Sequence, residues 1–159
     1  MDFASLACFF ALAVTAHNLE EAVWLPRFSR DAKFFGPKVA PSVLRATLLA
    51  LTLFAWLCVW AARKNDGVAT YVLCGYALAM LLNVALPHLA LTLALRRYAP
   101  GLATALLFDL PASLLLLRAA LHEERIALAT FAWAGPTTVA AIVAAIALCF
   151  AVGSRSRRA

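Results

Sequence analysis

Residues 3–25 read FASLACFFALAVTAHNLEEAVWL, an apolar run interrupted by His17, Glu20 and Glu21. A helix that crosses a bilayer needs about 20 predominantly apolar residues, so this run is long enough. Four more qualify further along, at 43–62, 68–95, 101–121 and 126–152. Open chain across lipid would leave backbone N–H and C=O groups unpaired, so all five are expected to be helices. The expected fold is all-α: a single transmembrane domain over residues 1–159, built as a polytopic bundle of five helices.

Composition points the same way. Of 159 residues, 65% are hydrophobic and 14% charged, against about 45–50% and about 25% in soluble domains. No soluble core of this length hides so much apolar surface, so lipid is the expected solvent. The net charge of +6 does not point to nucleic acid, because the bases sit between apolar runs and at the C-terminus. Anionic lipid head groups are the expected partners. Cys8, Cys58, Cys74 and Cys149 are widely spaced without a C-x-x-C and read as small buried hydrophobes. There is no internal repeat and no low-complexity stretch.

The connectors carry the topology. Arg27, Arg30, Lys33, Lys38, Arg45, Arg96, Arg97, Arg155, Arg157 and Arg158 collect on one side, and Arg63, Lys64, Arg118 and Arg125 on the other. The positive-inside rule puts the first group in the cytoplasm, giving an N-out/C-in arrangement. Trp24, Trp56, Trp60 and Trp133 fall near helix ends, where interfacial anchors belong. Val14-Thr15-Ala16 resembles a signal cleavage site, but Met1-Asp2-Phe3 brings no positive charge before the apolar run, and cleavage would send the most basic connector outside. The connector 26–42 alternates bases with Phe28, Phe34 and Phe35 and reads either as an interfacial amphipathic segment or as an ordinary basic loop.

The chemistry lies inside the spans. Positions i, i+3 and i+4 share a helix face, so His17, Glu20 and Glu21 are expected to project together. An ionised carboxylate in a bilayer costs several kcal/mol, and ionisable residues there mark functional sites by default. The third span carries Asn83 and His88 around Pro87, which removes the hydrogen bond to the Asn83 carbonyl. Five positions apart, Asn83 and His88 diverge on an ideal helix and can meet only through that kink. The fourth span carries Asp109, two residues before Pro111, with Ser113 a turn below. At about 1.5 Å per residue, His17 lies roughly 15 Å from Arg27, His88 about 12 Å from Arg96 and Asp109 about 18 Å from Arg97. Three helices thus bring polar groups to one depth in the cytoplasmic half. Outside the spans, His122-Glu123-Glu124-Arg125 reads as a solvated turn, and Gly135-Pro136 as a kink in the fifth helix.

Such a set suits a divalent transition metal, Zn²⁺, Fe²⁺ or Mn²⁺, with His17, Glu20, Glu21 and His88 as ligands and Asn83 orienting them. The spacing His-x-x-Glu-Glu matches the Glu-x-x-His of soluble di-iron bundles only loosely. Without metal, the same groups allow acid–base chemistry, with Glu20, Glu21, His88 and Asp109 as catalytic groups. A hydrogen-bond network that only holds helices together stays open beside both.

His17-Asn18-Leu19-Glu20-Glu21, followed by Asn83, His88 and the segment Arg97-Tyr98-Ala99-Pro100-Gly101-Leu102-Ala103-Thr104-Ala105, resembles the HXXEE family of small bacterial integral membrane proteins. The resemblance spans roughly residues 10 to 115. It implies a multi-pass protein of the bacterial inner (cytoplasmic) membrane with a His/Glu site, and marks His17, Glu20, Glu21, Asn83 and His88; Asp109 is added from its depth. The function expected is that of a metal-dependent membrane enzyme acting on a lipid or isoprenoid-like substrate. A metal-free isomerase or cyclase, similar to the five-helix sterol isomerases in using intramembrane Glu and His, is the alternative. A proton-coupled carrier is a further one, disfavoured by the lack of a repeat.

The charge asymmetry makes the topology testable. A reporter fused after Ala159 is expected in the cytoplasm and one inserted between Ala62 and Gly67 outside; the opposite pattern would refute the assigned orientation.

Overall fold

The computed structural model describes residues 1–31 and 39–155. The bases Lys33, Lys38, Arg157 and Arg158, and the Phe34-Phe35 centre of the connector, lie outside the described residues. Five helices are long and apolar enough to cross a membrane: α1 (Phe3–Asp31), α2 (Pro41–Arg63), α3 (Gly67–Leu95), α4 (Leu102–His122) and α5 (Leu128–Arg155). No strand occurs among the described residues.

Each inner helix buries one stripe. On α1 it runs through Phe3, Ala7, Phe10 and Val14, steps of four, three and four that keep a helix facing one neighbour. The next steps reach His17 and then Glu21. On α4 the buried line is Ala105, Asp109, Ala112, Leu116 and Ala120, and on α3 it is Leu73, Ala77, Met80, Val84 and His88. The polar residues of the site therefore occupy positions that elsewhere hold the apolar core. The outer faces carry Leu12, Leu19, Leu53, Leu57 and Leu93, each more than half exposed, as lipid-facing side chains are.

Helix α3 packs against α2, α4 and α5, while α1 packs against α2 and α4. Helix α5 leans chiefly on α3 and stays peripheral to the α1–α3–α4 interior. Gly75 permits that contact: a Cβ there would lie 2.5 Å from Thr138 Cβ.

Several boundaries and details differ from the expectations. The first helix does not stop near residue 25 but continues through Pro26 to Asp31. Proline frees the carbonyl four residues back, that of Ala22, and Arg45 Nε donates to this oxygen at 3.2 Å. The fifth helix starts at Leu128 rather than 126, because the turn is held by the Ala127 amide donating to Tyr71 Oη at 2.8 Å. Trp24, Trp60 and Trp133 are exposed, but Trp56 packs on the core and donates to Thr15 Oγ1 at 3.1 Å. Cys58 and Cys74 are buried, whereas Cys149 is exposed. Glu123 is not simply solvated: its Oε1 accepts from the Phe3 amide at 2.7 Å and caps α1.

Two helices depart from regular geometry at the depth of the site. Around Pro87 helix α3 kinks, with Leu86 leaving helical geometry altogether (φ −131°, ψ 114°). Ahead of Pro111, the stretch Ala105–Asp109 is π-helical, with the Leu110 amide reaching back to the Ala105 carbonyl. Such turns insert a residue into the helical count and re-aim side chains, which is why they recur at functional sites.

The close α3–α5 approach gives a test. Gly75→Val is expected to destabilise the bundle by about 1–3 kcal/mol through overpacking. Gly67→Val, where nothing lies within 4 Å, should stay within about 0.5 kcal/mol of wild type, both read by thermal unfolding in detergent.

Candidate functional site

The site forms where the buried stripes of α1, α3 and α4 converge. His17 and His88 meet edge to face, with ring centroids 4.9 Å apart. Glu21 Oε1 lies 3.5 Å from His88 Nε2, and Glu21 Oε2 lies 3.9 Å from His17 Nε2. One ligand atom from each of His17, Glu21 and His88 falls within 4.8 Å of the other two.

Asn83 sits between the rings, its Nδ2 3.1 Å from His17 Nε2 and 3.0 Å from His88 Nε2. The break at Leu86 is what lets residues five apart in α3 reach one point. An amide nitrogen only donates, so both Nε2 atoms act as acceptors and each ring carries its proton on Nδ1. His17 Nδ1 faces two oxygens, Thr104 Oγ1 at 3.2 Å and Asp109 Oδ2 at 3.2 Å. The Thr104 contact is the hydrogen bond; the Asp109 oxygen is as close but lies off its axis, and neither Asp109 oxygen nor Ser113 Oγ has a hydrogen-bond partner. On its other side His88 faces the Pro100 backbone, which as a proline offers only its carbonyl. Histidines that bind metals characteristically hold their second nitrogen against a carboxylate, carbonyl or similar acceptor in this way.

Glu20 is not with Glu21. One residue off the buried stripe, its carboxylate turns to the connector between α3 and α4. Oε1 accepts from the Gly101 amide at 2.9 Å and from the Tyr98 hydroxyl. Oε2 accepts from Thr104 Oγ1 at 2.7 Å and from the Thr104 amide at 3.3 Å. A carboxylate at the start of α4 is favoured by the helix dipole and its free amides. Glu20 thus reaches His17 through Thr104: the Thr104 proton goes to Glu20, and the Thr104 oxygen receives the His17 Nδ1 proton. Tyr98, outside the spans, has its phenol held above the ordinary value, first by partial burial and then by the Glu20 carboxylate.

Of the residues singled out in the sequence, His17, Glu21, Asn83 and His88 gather at one point, Asp109 backs His17, and Glu20 faces away into the connector. Asn18 ties α1 to α2, donating to Thr52 Oγ1 at 2.8 Å and the Leu48 carbonyl at 3.3 Å. Tyr98, Gly101 and Thr104 were given no role by sequence reasoning. The signal was a glycine among them: Gly101 has φ +92°, and a Cβ there would sit 2.6 Å from His88 Cε1 and 2.9 Å from His17 Cε1.

Gly101→Ala is therefore expected to lose about 1–3 kcal/mol from the left-handed backbone alone, and to shift the imidazole ¹⁵N resonances of both His17 and His88. Unmoved resonances would show that the connector does not seat the rings.

Comparisons with known proteins show the family of the chain. Residues 8–116 match the family described as "Protein of unknown function with HXXEE motif", a span that covers most of α1 through most of α4 and leaves out α5. The chain is 32% identical over 111 residues to the "Uncharacterized protein YrkK" of Bacillus subtilis (strain 168), covering 69% of this chain and 70% of that protein. No solved structure matches the chain. With the match running over more than half its length and the motif read at His17, Glu20 and Glu21, the chain belongs to the HXXEE family.

Proposed function

We propose that the protein is a metal-dependent enzyme of the bacterial inner membrane, N-out/C-in, acting on a lipid or isoprenoid-like substrate that reaches the site from the bilayer. The observation that carries the reading is the convergence of His17, Glu21 and His88 within 4.8 Å. Two imidazoles and one carboxylate are the donor set of open, catalytic zinc sites and suit Fe²⁺ or Mn²⁺ as well. The outer contacts support it too, since Asp109 and Thr104 stand behind His17 and the Pro100 carbonyl behind His88. Three ligands leave a coordination position for water or substrate, and a metal there would polarise a bound oxygen or activate that water. The chain's own residues set the ring tautomers and bury the group among α1, α3 and α4. Glu20 acts by positioning: it anchors the connector whose Pro100 and Thr104 hold the rings.

A metal-free acid–base enzyme is the second reading, and one contact favours it. The Asn83 amide satisfies both Nε2 atoms by itself, so the cluster can work as a proton-handling network of Glu21, His88 and Asp109.

Metal analysis separates the two. Protein purified in mild detergent and reloaded is expected to hold about one transition-metal ion per chain, lost in Glu21→Ala and His88→Ala. Asp109→Asn, behind a ligand, is expected to weaken metal binding by about 10–100-fold, while Cys58→Ala leaves it unchanged. Wild-type protein that stays free of metal after reloading would leave the acid–base reading standing.

A further inference from the structure

Next to the His/Glu group, at the basic end of the bundle, α1 and the α3–α4 connector border an open cavity of about 500 Å³. Glu20, Trp24, Arg27 and Phe28 line it from α1, at spacings that place them on one helix face. Arg97, Tyr98 and Pro100 close it from the connector. The Arg97 guanidinium lies 5.9 Å from the centre of the Phe28 ring, a cation–π contact that holds it over the cavity without neutralising it. Both arginines are exposed. Among the described side chains neither is paired with a carboxylate, and Glu20, the one acid of the lining, is taken up by Tyr98, Gly101 and Thr104.

We propose that this cavity binds a phosphate group between Arg27 and Arg97, with Trp24, Phe28 and Tyr98 carrying the adjoining apolar part of the same molecule. Guanidinium forks match phosphate oxygens bidentately, and two of them on one cavity, neither ion-paired among the described side chains, suit an anion of more than one charge. The aromatic wall and the place at the basic membrane surface suit an amphiphile. The cavity also borders the chemistry: Pro100 lines it and faces His88, and Glu20 lines it and is followed in the chain by Glu21. The proposal deepens the preceding reading by naming the polar end of its substrate, and rests on it only for what happens to that substrate, not for binding.

The test is calorimetric titration of the full chain in neutral detergent. One arm uses dihexanoylphosphatidic acid, a second inorganic phosphate, and a third dihexanoylphosphatidylcholine. Phosphatidic acid is expected to bind saturably, and Arg27→Gln with Arg97→Gln to weaken it by about tenfold or more, because charge-assisted bonds are the strong ones. The corresponding double lysine variant should recover part of the affinity, keeping charge but losing the fork. Lys64→Gln, at the opposite end, should change nothing. Binding of phosphatidic acid well above inorganic phosphate identifies an amphiphile's phosphate and upholds the proposal; equal binding of the two overturns it, because Trp24, Phe28 and Tyr98 would then carry no part of the ligand. Phosphatidic acid bound no better than phosphatidylcholine, or bound equally by the double glutamine variant, overturns it. Should that variant not fold, Arg97→Glu alone, exposed in the connector, carries the same test. Metal content measured on the same samples keeps the two ideas apart: phosphate binding without metal removes only the metal reading, and metal without phosphate binding removes only this one.

Discussion

A carboxylate within lipid must be matched by donors or by a cation, and in this bundle the Glu20 carboxylate is matched by the connector between α3 and α4. Two backbone amides, a threonine hydroxyl and a phenol converge on it. That demand folds the connector over the end of α1, sets Gly101 in the left-handed region where two imidazoles can approach it, and starts α4 at the right height for Thr104 to meet His17. Without the carboxylate, two backbone amides and a phenol beside the site would lose this acceptor, and unmatched polar groups are costly out of water.

The rest of the bundle reads as support for this arrangement. The buried stripes of α1, α3 and α4 are apolar until they reach the basic end and then turn polar, so packing and chemistry use the same faces. The kink before Ala90 and the widened turn before Leu110 bring His88 and Asp109 onto those faces. Helix α5, which rests on α3 and contributes nothing to the polar group, also lies beyond the stretch matched by the family.

The five spans were legible because lipid imposes a minimum apolar length, and the polar residues stood out because lipid makes them expensive. What stayed hidden depended on contacts between distant residues. Helix α1 passes Pro26 because Arg45 takes up the freed carbonyl, a partner 23 residues away. Glu20 and Glu21 looked equivalent from i, i+3 and i+4 spacing alone. The spacing of Phe3, Ala7, Phe10 and Val14 continues to His17 and Glu21 and passes Glu20 by, so the distinction was present in the sequence but needed the whole stripe to be followed. Asn83 and His88 could be joined only by a break whose direction local sequence does not specify. Tyr98 and Thr104 stood in a segment that resembles the family, but their role stayed hidden, since their partner lies about 80 positions earlier in the chain.

The position of Asn83 has a consequence for how anything else can bind. Its amide already answers both imidazoles, so the ring pair has no unmet acceptor before a ligand arrives. A species that coordinates the two rings has to exchange against a primary amide that never leaves the neighbourhood. Its grip is then the difference between two sets of bonds, and its occupancy follows the supply outside rather than being locked in when the chain folds. In that respect the centre is built like an exchangeable socket with a permanent tenant, not like a rivet.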